Sequence, residues 1–314
     1  MPKFIIEEKA IRTNEYVKFA MMGPSGSGKT YSSLVLASGM ADAISKMKGR
    51  KAKILLADTE KGRGKYYADE FNFSYTRFDP PYNPENFVEL INFAVAQKYD
   101  ILIIDSSSHE WEGQGGCLEL QQQAGGTFGA WKKITPRHLA FIEAITESPI
   151  HIIATMRGKD QYEQEKDEKG KITVTKLGAG VRQRDGFEYE FTCTMMLDQK
   201  MHTCDVKKDT THIFDNRTAF IITRKDGEDL IKWANSGYGA PENNFDPNKD
   251  ISAPAKEPDL KEIKEEIIKL CVEKGGTANQ ELMNTLKSFV PSGNPNAIKS
   301  IDTAKKLVET LRKM

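Results

Sequence analysis

The strongest chemistry in this sequence lies in the run Gly23-Pro24-Ser25-Gly26-Ser27-Gly28-Lys29-Thr30. Glycines at 23, 26 and 28 let the backbone curl until several N–H groups face inward. A following helix adds the partial positive charge of its N-terminus. Such a surface fits a triphosphate, with Lys29 reaching the β- and γ-phosphates and the Thr30 hydroxyl placed to ligate Mg²⁺.

A phosphate loop of this kind needs an acid to hold Mg²⁺ at the end of a neighbouring apolar strand. Asp105, after Tyr99-Asp100-Ile101-Leu102-Ile103-Ile104, meets that requirement. Hydrolysis also needs a carboxylate to polarise the attacking water. Asp105 is followed by Ser106-Ser107-Ser108, so no glutamate stands directly after the magnesium acid and the base must come from elsewhere. Two residues qualify. Glu60 ends the segment Ile54-Leu55-Leu56-Ala57-Asp58-Thr59-Glu60, and Glu110 sits in His109-Glu110-Trp111 beyond the magnesium acid. Of the two, Glu60 is favoured.

These groups must be carried by alternating strands and helices. Tyr16 to Met22 is an apolar run meeting the glycine loop, and Thr30 to about Ile44 has helical character. Buried-type strands follow at Lys53–Ala57, Ile101–Ile104 and Ile150–Ala154, with helical patterns near Pro84–Gln97 and Trp131–Thr146. The pattern predicts an α/β fold with a mainly parallel sheet. Closely spaced runs at Tyr189–Leu197, Met201–Val206 and Thr218–Ile222 predict antiparallel strands on one edge of it. Residues 1–237 form this core in the sequence reading. Residues 238–258, with four prolines among polar residues, read as a linker, and 259–314 carry apolar spacing for a small helical domain.

Composition sets limits on partners. Lys+Arg and Asp+Glu are both 45, so no global field recruits nucleic acid or anionic lipid, and any such contact must be local. Cys117, Cys193, Cys204 and Cys271 form no CxxC pair, which argues against a disulfide framework or a zinc ribbon. Cys193, His202 and Cys204 lack a fourth metal ligand at a recognisable spacing. No segment approaches the roughly 20 apolar residues that span a bilayer, and the N-terminus lacks a signal-peptide pattern, so the expectation is a cytoplasmic protein with no membrane contact.

A phosphate loop, an apolar strand ending in Asp58-Thr59-Glu60 with glycine and basic residues after it, and an apolar strand ending in Asp105-Ser106 together resemble the RecA-like recombination ATPases. The likeness covers roughly Tyr16 to Ser236 and is nearest to phage-encoded RecA-core proteins associated with single-strand annealing. The resemblance implies ATP and Mg²⁺ as ligands, Glu60 as the catalytic base, and Arg157 as the residue that senses the γ-phosphate. It also implies single-stranded DNA as a partner and a homo-oligomer in which a basic residue crosses between subunits, with Arg217 or the Arg224-Lys225 pair as candidates. The segments Ser106–Gly129, with Trp111 and Phe128, and Gly158–Lys176, with Tyr162, occupy positions where such proteins hold DNA. The C-terminal helices are expected to recruit DNA or a recombination or replication protein. An ATPase motor or loader acting on a protein, and a nucleotide switch without turnover, are the competing expectations.

Overall fold

The computed structural model describes residues 9–166, 172–239 and 260–313, apart from 275, 277 and 278. The chain divides into two compact units, Met1–Ser252 and Ala253–Met314. The segment 238–258 read as a linker lies, from residue 240 onward, outside the described residues.

The first unit is an α/β fold. Strand β1 (Lys18–Gly23) leads into helix α1 (Lys29–Lys48), followed by β2 (Ile54–Asp58), β3 (Ser74–Arg77), α2 (Pro84–Ala96) and β4 (Ile101–Asp105). Short helices α3 (Ser108–Glu112) and α4 (Cys117–Gln123) precede the long α5 (Trp131–Glu147). Then come β5 (His151–Lys166), β6 (Ile172–Val181), β7 (Cys193–Leu197), β8 (Cys204–Asp209) and α6 (Arg224–Ala234). The sheet runs β3-β2-β4-β5-β1-β7-β8, with β6 paired to β5 alone.

Side-chain alternation along β1 shows why this sheet is covered on both faces. Phe19 and Met21 pack with Leu34 and Leu36 of α1 and Leu230 and Ile231 of α6. Ala20 and Met22 point the other way, toward Phe87 and Ile91 of α2 and Phe141 and Ile145 of α5. A strand buried on both faces must be apolar throughout, which is why β2 and β4 read as continuous apolar runs. Helices α1 and α6 meet where Gly39 faces the Arg224 backbone and Gly227 faces Leu36 and Met40, so neither position has room for a Cβ. A reciprocal capping box between Thr223 and Asp226 starts α6.

Several expectations are corrected. β7 pairs with β1 in parallel, and of the runs expected to be antiparallel edge strands β8 alone is so, against β7. The segment between β6 and β7 explains this: β6 ends at Val181 opposite Gly158, beside the C-terminal end of β1, and residues 182–192 carry the chain back along the sheet so that β7 starts with Cys193 beside Phe19. Thr218–Ile222 contributes an isolated bridge, Cys204 to Phe220, in place of a strand. Ser106–Gly129, one of the two segments expected to hold DNA, contains the helices α3 and α4. Gly158–Lys176 is an antiparallel hairpin in which β5 continues far beyond the sheet to pair with β6, and residues 167–171 lie outside the described set.

The second unit contains α7 (Leu260–Glu273), α8 (Gln280–Phe289) and α9 (Ile301–Lys313). Ile263 and Ile267, Leu282 and Leu286, and Leu307 and Leu311 form its own core. Asn279 caps α8 by accepting from the Glu281 and Leu282 N–H groups.

Candidate nucleotide site

At the C-terminal edge of the sheet, β1 ends on Gly23 with φ 155°, and Gly28, at φ 87°, caps α1. The left-handed conformation at Gly28 turns the loop so that α1 begins directly beneath it. A Cβ on Gly23 would lie 2.6 Å from the Ser27 Oγ and 2.9 Å from the Leu197 carbonyl oxygen. The loop is steadied from β7–β8 by Gln199, whose Nε2 donates to the Ser25 carbonyl at 2.8 Å. Lys29 lies over the curl, its Nζ donating to the Gly23 and Pro24 carbonyls at 2.8 Å each. Burial lowers the Lys29 pKa, an effect opposed by the carboxylates of Asp105 and Glu60 and reinforced by Arg157. Buried Ser27 Oγ has no hydrogen-bond partner.

Strand order places the acid. β5 is inserted between β1 and β4, so Asp105 reaches the loop past Thr155 of β5, which stands opposite Met21 of β1. Thr155 Oγ1 donates to Asp105 Oδ1 and Thr30 Oγ1 donates to Asp105 Oδ2, both at 2.5 Å. Burial raises the Asp105 carboxyl above its ordinary range, against the two hydroxyls, which pull it down. Thr30 Oγ1 and Asp105 Oδ2 are hard oxygen donors side by side at the mouth of a phosphate loop, a set that suits Mg²⁺ with its remaining positions filled by water and phosphate. The unpartnered Ser27 hydroxyl in the same loop is a further polar atom that a bound triphosphate would serve.

β2 ends beside β4 with Asp58 opposite Asp105. Buried Asp58 accepts from the Gly64 N–H at 3.0 Å and from the Tyr75 hydroxyl at 3.2 Å, which tightens the turn carrying Glu60. Both Glu60 oxygens accept from Arg157, Oε1 from Nε at 2.9 Å and Oε2 from Nη2 at 2.7 Å. Burial pushes the Glu60 carboxyl up, but the Arg157 hydrogen bonds and charge outweigh it and hold the group below the ordinary range. Lys29, Thr30, Glu60, Asp105 and Arg157 line one cavity of about 630 Å³, whose floor includes Pro24, Ser25, Gly26 and Gly28.

Glu110 does not reach this cavity. It is fully buried in α3, accepting from Cys117 Sγ at 3.0 Å and Gln183 Nε2 at 3.1 Å and sitting 3.0 Å from His138 Nδ1. Glu110, Cys117 and His138 are close enough to suggest a metal cluster. Here, however, three side-chain groups already surround the Glu110 carboxylate, so it reads as the hydrogen-bonded centre that fastens α3, α4, α5 and the end of β6 together.

The AAA domain family matches residues 15–226, about two thirds of the sequence. The chain belongs to the AAA domain family. Members of that family are generally ATPases, and the match covers the loop, Glu60, Asp105 and Arg157 of this AAA domain. No curated protein matches the chain. Among the described residues, no helix is long and apolar enough to cross a membrane.

The AAA domain also brings residues to the cavity that sequence reasoning did not single out. Arg63, Tyr66, Tyr67 and Arg182 line it, and Thr155 positions Asp105. Arg63 follows Glu60 in a glycine-rich basic turn, which was a visible signal, whereas nothing in the local sequence marks Thr155 or Arg182. Of the residues expected to serve a polymer or a neighbouring subunit, Trp111 stacks on Trp131 with centroids 5.2 Å apart, while Phe128 is 92% exposed. Tyr162 lies on β5. Arg217 donates to Asp226 at 2.5 Å and covers the Phe220 ring at 3.8 Å. Arg224 pairs with Asp42 at 3.3 Å, and Lys225 pairs with Asp229.

Proposed function

We propose that this AAA domain is an Mg²⁺-dependent ATPase with a RecA-like core, encoded by a phage and acting in DNA recombination, repair or single-strand annealing. The observation that carries the ATPase reading is the convergence of Lys29, Thr30, Asp105, Glu60 and Arg157 on one cavity. Mg²⁺, when bound by Thr30 and Asp105, would offset charge on the β- and γ-phosphates. Lys29 exchanges its two loop carbonyls for phosphate oxygens, a replacement favoured by charge. Glu60 accepts a proton from the attacking water once an oxygen is free of Arg157. Arg157, on the strand next to β1 and opposite Gly23, supplies positive charge where the γ-phosphate is transferred.

The recombination reading rests on the sequence likeness to RecA-like proteins. On this reading single-stranded DNA is the polymer partner, the active assembly is a homo-oligomer, and the C-terminal helices recruit a recombination or replication protein. The test is phosphate release from ATP with and without single-stranded DNA, run beside a size measurement with an ATP analogue. Turnover that rises with DNA, in an assembly that grows with nucleotide, is the expected result. Turnover indifferent to DNA counts against the recombination role.

A further inference from the structure

A second cavity, of about 870 Å³, lies beside the nucleotide cavity and shares Glu60, Arg63, Arg157 and Arg182 with it. Lys61, Arg63, Arg77, Arg157 and Arg182 line it against Glu60, Asp79 and Glu112, an excess of positive charge that selects an anion. Arg157, Arg182 and Arg77 are committed to Glu60, Glu112 and Asp79 respectively. Among the described residues, Lys61 and Arg63 have no acid within ion-pair distance. The wall also holds the partly exposed ring of His109, which stacks on buried Tyr82 with centroids 5.0 Å apart at 18° and has its Nδ1 fixed 2.6 Å from Thr59 Oγ1.

We propose that this cavity takes a phosphodiester group of a single-stranded nucleic acid, and that its occupancy draws Arg157 off Glu60 and frees the base. The proposal rests on Glu60 acting as the base. In the structure both Glu60 oxygens are engaged by one guanidinium, an arrangement that opposes proton transfer from water. A phosphate matches the same planar fork and competes for it. Arg157 Nη1 already stands 4.0 Å from Glu112 on the second-cavity side, so the required displacement is a side-chain rotation. The anion is assigned to nucleic acid, and not to an acidic peptide, because the partly exposed His109 ring, braced by buried Tyr82, lines the cavity where a base can stack.

The experiment uses the full chain and a fluorescent oligothymidylate, with binding followed by anisotropy in Mg²⁺ and an ATP analogue and turnover followed in ATP. Lys61→Glu alters an exposed side chain and should leave the fold intact. The expected result is an affinity for the oligonucleotide weakened about tenfold or more, a salt dependence shallower by about one unit of slope, and a lower ratio of stimulated to unstimulated turnover. Equal affinity in the wild type and Lys61→Glu overturns the site. Binding of inorganic polyphosphate without oligonucleotide binding overturns the nucleic-acid assignment, and Lys61-dependent binding without stimulation overturns the release of Glu60. Complete absence of turnover would instead refute the ATPase reading, with the anisotropy still deciding whether the cavity binds the polymer.

Discussion

Replacing Glu60 with glutamine keeps the size of the side chain but removes its capacity to take a proton. Loss of a general base lowers turnover by roughly 10²–10⁴, which is about 3–5 kcal/mol on the barrier. The structural cost should be small, because the Glu60–Arg157 pair is partly solvated, with 19% and 36% of the side chains exposed. Pairs of this kind contribute about 1 kcal/mol or less to stability, and glutamine can still accept one of the Arg157 hydrogen bonds. Glu60→Gln should therefore bind nucleotide within a few-fold of wild type, melt at a similar temperature and release phosphate at a hundredth of the rate or less. Single-turnover phosphate release, nucleotide titration and thermal melting measure these three quantities. The wild type should also show an acid limb placed below the ordinary glutamate value of about 4.3, since Arg157 depresses the Glu60 pKa. Activity is retained above that folded-state value and lost as pH falls through it, and the glutamine variant should lack the limb. Turnover within threefold of wild type would refute the assignment, as would an equal loss in Glu110→Gln with an unchanged melting temperature.

Gly227→Ala should destabilise the first unit by about 1–3 kcal/mol or more, read as a lower denaturant midpoint, because a methyl there meets the Leu36 carbonyl and lies 2.7 Å from the Met40 nitrogen. Burial raises the Asp100 pKa, but Arg50, Lys48 and the Lys53 N–H hold it down to about 2. Its stabilisation is complete above the unfolded value of about 3.9 and disappears as pH falls toward 2, so acid titration of stability should show a loss of at most about 2 kcal/mol that Asp100→Asn lacks. That ceiling reflects the solvent exposure of Lys48 and Arg50, 51% and 47%, which screens their charge. A chain ending at Gly239 should remain folded and bind ATP, since the apolar clusters of the first unit draw on nothing beyond Ala234; unfolding or loss of nucleotide affinity on truncation would contradict this.

The loop from Gly23 to Thr30 and the apolar strands ending at Asp58 and Asp105 were legible because their chemistry is local. Phosphate binding needs adjacent glycines and a lysine, and a strand covered on both faces must be apolar along its length. Asp105 and Glu60 were legible for the same reason, as Asp105 ends such a strand and Glu60 lies two residues beyond the end of another. The parallel direction of β7 was not legible, because it depends on residues 182–192 carrying the chain from the end of β6 back along the sheet, and a short apolar run carries no direction. Thr155 was hidden inside an apolar strand, and its role exists only because β5 is inserted between β1 and β4. Glu110 stood second to Glu60 as a base in sequence, and tertiary packing against Cys117, His138 and Gln183 removes it from the cavity. The fastening of Arg217 to Asp226, and of Trp111 to Trp131, likewise joins positions that sequence distance does not connect.

The central claim is that the Gly23–Thr30 loop, with its lysine, binds ATP for hydrolysis. It is tested most directly by calorimetric titration of Mg²⁺-ATP analogue into wild type and Lys29→Ala, paired with phosphate release from ATP by each. The account predicts saturable binding and turnover in the wild type, with both lost in a Lys29→Ala protein that remains folded. Undiminished turnover in Lys29→Ala, or a wild type that neither binds nor hydrolyses the nucleotide, would contradict it.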